Sequence, residues 1–386
     1  MLVIGAGPAG LAAAAELHRR GVPVEILERS DAVGSAWRMR YDRLRLNTCR
    51  WNSRLSDDDF PRGTPRFPDR EQFVSYLESY VKRHDLLVHF GIQVDRVDRC
   101  GDQWRLATSA GDLTAGHVIF ATGHQHTPRL PDWPGLRDFP GPFLHSSEYR
   151  DAAQFRGADV LVAGAGSSAL DIAYDLAQGG AARVRVSVRT QPHMLLRSTG
   201  PIPTDLLARL LFRMPAWLGD QVGKVARRST IGNLGPWGLA APQEGLLTHM
   251  RRVNRTPTIV DREMVKAIKA GRIEIVADIA SVADEAVRLT DGTALSPDAI
   301  IAATGFTAGL EPLVGHLGVL DDRGLPRAWG GPAVAPGLRF SGYVPNIRNL
   351  DLDARAVAEQ VSQELNGGGR AAREQGAHSE QLLPSA

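Results

Sequence analysis

Gly5-Ala6-Gly7-Pro8-Ala9-Gly10 directly follows the apolar run Leu2-Val3-Ile4, and Gly164-Ala165-Gly166-Ser167-Ser168-Ala169 directly follows Val160-Leu161-Val162-Ala163. Glycines at this spacing let a chain leaving a strand turn sharply and lie close to a pyrophosphate, whose charge rests on the amides that open the next helix. The two hexads differ in the residue that closes the following strand. Glu28 follows the strand-like residues 24–27 and suits ribose hydroxyls. Arg189 follows 184–188 and suits a 2′-phosphate, because a planar guanidinium matches phosphate geometry. One hexad alone is weak evidence. Two in the same context, with opposite charge at the discriminating position, predict FAD on the first unit and NADPH on the second.

The elements that must position these residues follow from pattern. Each unit reads strand, glycine turn, helix, strand, the first to about residue 29 and the second over 158–189, and they form the chain's only visible internal repeat. Residues 34–70 are dense in Trp, Arg, Asp and Pro without periodicity and read as ordered loops over a site. Residues 71–83 place Phe73, Val74, Leu77 and Val81 at helical spacing. Short strands are expected at 87–90, 92–97, 104–108 and 118–120. The last closes on Ala121-Thr122-Gly123 and a proline-rich stretch that suits a crossing between domains. A second apolar strand closes on Ala303-Thr304-Gly305. The mixed basic and apolar residues of 201–240 predict a helical insertion over the active site, and peripheral membrane contact is disfavoured. A final helix is expected over 352–364 and a disordered tail from 366.

Composition excludes several classes. The 386 residues suffice for two domains and a substantial core. With 43% hydrophobic and 23% charged residues and a formal net charge of +2, the chain gives no reason to expect a nucleic-acid partner. Cys49 and Cys100 lack the spacing of a redox dithiol or a metal site, and both are expected as reduced thiols in a cytoplasmic protein. His124 and His126 lie on a loop without acidic partners, so no metal is expected. No run is long enough to span a membrane. Met1 lies four residues before Gly5, so the first strand is expected to lack residues upstream.

Between the hexads, Phe139, Gly141, His145 and Tyr149 form a Phe-x-Gly-x-x-x-His-x-x-x-Tyr element. With it the chain resembles the class B flavin-dependent monooxygenases over nearly its whole length. The matching segments include YDRLRLNT (41–48), FPGPFLHSSEY (139–149), GAGSSALDIA (164–173), SVRT (187–190) and ATGF (303–306). GLAAPQEG (238–245) and TPTIVD (256–261) look most like the YUCCA-type branch. Two features depart from the family pattern. Tyr149-Arg150 stands where Baeyer–Villiger enzymes carry Trp, and Ser167 replaces a usual asparagine, with a hydroxyl that can still donate to phosphate.

The resemblance implies an α/β fold of two Rossmann-like dinucleotide-binding domains, the NADPH domain inserted into a discontinuous FAD domain. The segments expected are 1–150 and 303–365 for FAD and 151–302 for NADPH. It implies cofactor contacts from Gly5, Gly7, Pro8, Ala9, Gly10, Glu28, Arg29, Ser35, Trp37, Leu46, Thr48, Val94, Ala121, Thr122 and Gly123. Gly164, Gly166, Ser167, Ser168, Arg189 and Thr190 would serve NADPH. His145, Ala303, Thr304 and Gly305 would complete the cofactor contacts where the domains join, and Asn47 would be the catalytic residue, beside the flavin and the nicotinamide.

The chemistry so implied is carried by the flavin. Reduced by NADPH, it meets O2 to give a C4a-(hydro)peroxyflavin in a site kept dry, and one oxygen atom enters a small organic substrate. N- or S-oxygenation is the first expectation, with oxidative decarboxylation of a 2-oxo acid or Baeyer–Villiger oxidation as alternatives. From another class, an NADPH-dependent flavin reductase or electron transferase would need a dithiol or equivalent acceptor. A flavoprotein sensor would leave Arg189 unexplained. A small-molecule substrate and O2 are the partners expected, and a homodimer is compatible with the reading.

Overall fold

The computed structural model describes residues 1–55, 58–211, 213–253, 256–283, 286–343 and 347–380. Two five-stranded parallel sheets carry the fold. In the first, Leu2–Ile4 lies between Glu25–Glu28 and Val118–Phe120, with Val88–Phe90 and Leu338–Phe340 at the edges. In the second, Asp159–Ala163 lies between Arg183–Ser187 and Ala299–Ala302, with Glu274–Val276 and Phe143–His145 at the edges. Runs such as Val118-Ile119-Phe120 and Ala299-Ile300-Ile301-Ala302 are buried throughout, as parallel sheets covered on both faces require. The first strand is three residues long, yet it is laddered on both sides.

Sequence chemistry explains the packing of the first unit. Helix Pro8–Arg19 starts on a proline, which lacks the N–H that a first turn would leave unpaired. Its Ala12, Ala13, Ala14 and Ala15 are buried together with Leu350, Ala354, Val357 and Ala358 of the final helix. Small side chains on both partners permit this close approach. Helix Arg70–Arg83 opens with a reciprocal cap: the Asp69 carboxylate accepts from the Gln72 amide at 2.8 Å, and the Gln72 side chain accepts from the Asp69 amide at 3.0 Å. Phe73, Val74 and Leu77 face inward as their spacing predicts, joined by Tyr76 and Tyr80.

The chain passes between the sheets twice. Outward it runs through Thr127–Pro128 and back through Phe306–Thr307, and these two segments pair antiparallel. The amide of Arg129 donates to the Gly305 carbonyl at 2.9 Å, and the Thr304 hydroxyl to the Arg129 carbonyl at 2.5 Å. The two crossings therefore form one ribbon. Leu338–Phe340 then completes the first sheet, which makes that unit discontinuous in sequence with the second inserted into it.

Two details differ from expectation. Phe143–His145 hydrogen-bonds to the second sheet, although the sequence reading assigns residues up to 150 to the first segment; a three-residue apolar stretch carries no mark of which sheet it will join. The last helix runs Ile347–Glu380, through the residues expected as a disordered tail. Ala371, Ala372, Arg373, Glu374 and Gln375 are good helix formers, a preference that the glycines of 367–369 mask in a reading by composition. Residues 381–386 lie outside the described set. Among the described residues no helix is long and apolar enough to cross a membrane.

Candidate active site

Both glycine turns are forced by the same contact. Gly5 has φ +108°, and a Cβ there would lie 2.8 Å from the Ala121 carbonyl oxygen. Gly164 has φ +127°, and its Cβ would lie 2.6 Å from the Ala303 carbonyl oxygen. Each first glycine thus presses on the Ala-Thr-Gly segment that follows the neighbouring strand, and only glycine combines the backbone angle with the approach. At Gly10 a Cβ would fall 1.9 Å from the Gly5 carbonyl oxygen. Gly7 and Gly166 are different, because a Cβ at either meets no protein atom within 4 Å. Each is the N-cap of a helix with no side-chain cap, so the first-turn amides lack an internal partner. Their glycine identity answers to nothing in the protein, and the turn could hold a pyrophosphate.

Around the first turn, the Glu28 carboxylate accepts from the Ala6 amide at 2.7 Å and the Ser30 amide at 3.0 Å. Two lone pairs are thereby used, and acceptor capacity remains for a diol. Arg29 is exposed beside it, and Val94, buried in the same cluster as Leu27, opens the antiparallel strand Val94–Cys100. Ser35 donates to the Ala32 carbonyl at 2.6 Å. Trp37 meets Phe73 edge to face at 4.6 Å between ring centroids. Thr122 shares a hydrogen bond of 3.0 Å with the Tyr343 hydroxyl. Gly342, just past the last strand, would drive a Cβ to within 2.4 Å of the Ala9 methyl. Gly342 and Tyr343 were not found from sequence, since a lone Gly-Tyr pair after a strand carries no specific signal.

Around the second turn, Ser167 Oγ accepts from the Ile259 amide at 2.9 Å, and the Thr258 hydroxyl donates to the Ala165 carbonyl at 3.0 Å. The 256–261 segment thus buttresses the turn, and the Ser167 hydroxyl hydrogen stays free to donate. Arg189 and Thr190 are exposed at the strand end. Arg183 and Arg185 on the same strand are tied to Glu274 and Asp159, whereas among the described residues no carboxylate pairs with Arg189.

His145 joins the two units. Its Nε2 donates to the Gly305 carbonyl at 3.0 Å, so Nδ1 must be the acceptor facing the Ser147 hydroxyl at 2.9 Å and the Ser147 amide at 3.2 Å. Burial holds its pKa below the usual histidine range, and the ring is a neutral connector.

The strongest link between the units comes from residues 41–52 of the first. Tyr41 is buried within the hydrophobic core of the second sheet, edge to face with Tyr149 at 6.3 Å between ring centroids. Its hydroxyl bonds Asp171, and burial together with that carboxylate raises its pKa well above the ordinary phenol value, so it stays a donor. Arg43 pairs with Asp171 at 3.2 Å and lies over the Tyr174 ring at 4.5 Å. Asp171 and Tyr174, on helix Ser167–Gly179, are three residues apart on one face. Further along, Asp205 accepts from the Cys49 amide at 3.0 Å and from Asn52 Nδ2 at 2.6 Å. Buried Arg197 donates to the Arg45 carbonyl at 3.0 Å, the Leu46 carbonyl at 2.6 Å and Asn47 Oδ1 at 3.3 Å. Leu46 is buried, Thr48 bonds Ser53 at 2.6 Å, and Asn47 is exposed on the strip between the two units. Asp171, Arg197 and Asp205 were not singled out from sequence.

The cysteines do not form a redox pair. Cys49 is buried, and desolvation with the nearby Asp205 raises its pKa to about 11, which suppresses the thiolate. Cys100 is exposed at the end of strand Val94–Cys100. Among the described residues no group of His, Cys, Asp and Glu side chains could hold a metal ion.

A family model described as pyridine nucleotide-disulphide oxidoreductase matches residues 2–199. The chain is 36% identical over 372 residues to the indole-3-pyruvate monooxygenase YUCCA1 of Oryza sativa subsp. japonica, covering 93% of this chain and 90% of that protein. It is 33% identical to the probable indole-3-pyruvate monooxygenase YUCCA7 of Arabidopsis thaliana, covering 94% and 87%. The solved flavin-containing monooxygenase from Stenotrophomonas maltophilia superposes with a TM-score of 0.74 at 23% identity, covering 94% of this chain and 98% of that one. Two Rossmann-like units, one inserted into the other, and relatives matched almost end to end identify the chain as a class B flavin-dependent monooxygenase, an oxidoreductase that uses FAD and NADPH.

Proposed function

We propose that this monooxygenase acts on a small 2-oxo acid bearing an aromatic side chain, converting it with O2, NADPH and a proton to the carboxylic acid one carbon shorter, CO2, water and NADP⁺. The observation that carries this reading is the match, nearly end to end at 33–36% identity, with proteins named as indole-3-pyruvate monooxygenases or probable ones. A second reading, oxygenation of an amine nitrogen or a sulfide, is supported by Asn47, which the resemblance to flavin-containing monooxygenases puts beside the flavin and the nicotinamide.

The residues divide the work as follows. The first turn is shaped by Gly5, whose own amide is spent on the Leu27 carbonyl, and by Pro8, which has no N–H. The Gly7, Ala9 and Gly10 amides on it hold the FAD pyrophosphate, and Glu28 accepts from its ribose hydroxyls. The Gly166, Ser167 and Ser168 amides do the same for the second nucleotide on a turn shaped by Gly164, whose amide is spent on the Ser187 carbonyl, and Arg189 with Thr190 takes the 2′-phosphate. FAD, when bound, accepts hydride from NADPH and uses O2 to deliver one oxygen atom to the substrate. The chain's own contribution is to hold the two nucleotide-binding units together through the 41–52 strip and to present the Asn47 amide as a donor. No side chain has to act as a nucleophile.

Gly7→Val and Gly166→Val separate the two sites, because a Cβ at either position meets no protein atom within 4 Å. The first variant should purify folded and colourless. The second should keep its flavin and lose NADPH-driven reduction. Full flavin in Gly7→Val, read by its visible absorbance, would contradict the assignment of the first turn.

Arg189→Ala should raise the NADPH KM about ten- to a hundredfold, the loss of a charge-assisted contact of about 1.5–3 kcal/mol, and leave NADH use little changed. Equal losses for both nucleotides would point to another phosphate partner.

The substrate class is tested by supplying ¹⁸O2 and NADPH with indole-3-pyruvate, phenylpyruvate, trimethylamine or a thioether. We expect the shortened acid to carry one ¹⁸O atom, with CO2 released in step with NADPH. An N- or S-oxide in place of that acid would establish the second reading, and peroxide alone from every class would contradict both.

A further inference from the structure

We propose that Arg197 is a positioning residue for oxygen transfer: it fixes which face of the Asn47 amide is turned toward the cofactors. The inference rests on the reading of Asn47 given above and goes beyond it by naming what orients that side chain. Arg197 is 7% exposed and follows strand Met194–Leu196 of the inserted unit. Its Nε donates to Asp261 Oδ1 at 3.0 Å and its Nη2 to Asp261 Oδ2 at 3.4 Å. This fork on one carboxylate sets the guanidinium plane. The same residue's backbone amide donates to the Val260 carbonyl at 2.9 Å, so side chain and main chain are both held by the 258–261 segment. That segment also buttresses the second glycine turn through Thr258 and Ile259.

With the plane fixed, Nη1 projects across the boundary between units. It is shared among the Arg45 carbonyl, the Leu46 carbonyl and Asn47 Oδ1. A guanidinium has donors and no acceptor. The amide atom that meets it must therefore be the oxygen, and the Nδ2 hydrogens must turn the other way, to the exposed side of the strip. Without Arg197 the Asn47 amide could present either end, and its oxygen would repel an electron-rich group that its N–H stabilises. The two carbonyl contacts restrain the backbone on which Asn47 sits, so orientation and location have one source. The contact also ties the orientation to the NADPH-binding unit, since Asp261 and the second glycine turn share the segment that holds Arg197.

Arg197→Lys keeps the charge and loses the fork, because a single ammonium cannot satisfy Asp261 and all three acceptors across the boundary. The test compares this variant with Asn47→Ala and the double variant in flavin-loaded protein. A separate readout, independent of turnover, is amide hydrogen exchange in protein stripped of flavin. We expect Arg197→Lys to speed exchange over residues 45–48 while helix Arg70–Arg83 stays protected. In the loaded protein we expect flavin content and the rate of reduction by NADPH to stay near the parent values. The ratio of hydrogen peroxide to oxygenated product should rise about tenfold, the effect of one lost charge-assisted hydrogen bond, and the double variant should be no worse than Asn47→Ala. If Asn47→Ala diverts oxygen to peroxide and Arg197→Lys does not, this inference fails and the reading of Asn47 stands. If neither diverts oxygen, the reading of Asn47 fails and takes this inference with it. A further rise in the double variant would mean that Arg197 acts by another route, which also overturns the inference.

Discussion

The burial of Tyr41 in a core that is not its own is the contact on which the working geometry depends. Tyr41 belongs to a segment running across the first unit, yet its ring packs inside the second sheet's hydrophobic cluster. Removing an aromatic side chain from such a site costs about 3–5 kcal/mol. In the largely buried Arg43–Asp171 pair, desolvation offsets much of the attraction between the charges. Packing therefore does the docking, and the polar contacts fix register along the strip. Two nucleotides on two units can exchange a hydride only if those units meet in one arrangement. The paired crossing strands, the Tyr41 anchor and the Asp205 contacts supply three separate restraints on that arrangement.

The two units solve one problem twice, with different tolerances. Gly5 and Gly164 each abut the carbonyl of the Ala-Thr-Gly segment on the neighbouring strand. The recurrence of Ala-Thr-Gly is thus the other half of the glycine turn, folded against it. The third position of the hexad differs. A Cβ at Gly10 would collide with Gly5, whereas the second unit carries Ala169 there, fully buried. The charges proposed to tell the nucleotides apart sit farther out. Glu28 is buried and held by two backbone amides, and Arg189 is exposed and unpaired among the described residues. A carboxylate reading neutral hydroxyls needs fixed geometry. A guanidinium reading a dianion needs charge and reach.

This explains what could be read in the chain and what could not. The hexads, the strand-end charges and the helix at Arg70–Arg83 are local. Spacing, periodicity and a capping box write them into a few neighbouring residues. Arg197, Asp171 and Asp205 are charged residues with no local signature. Each matters because of a partner more than a hundred residues away, at Leu46, Arg43 and Cys49 respectively. The edge strand Phe143–His145 was misplaced for the same reason, since its sheet is decided by a distant strand. Asn47 lies between these cases. Its position was visible through resemblance, and its contact with Arg197 was not.

The central claim is that the 41–52 strip, and not the nucleotide turns alone, makes the two sites one. Its most direct test is anaerobic single-turnover reduction of the flavin by NADPH in Tyr41→Ala, with flavin content and NADP⁺ affinity measured on the same preparation. The account predicts that both nucleotides still bind, because neither turn is touched, while flavin reduction slows about a hundredfold or more as about 3–5 kcal/mol of docking energy is lost. Reduction at the parent rate, with both nucleotides bound, would contradict it.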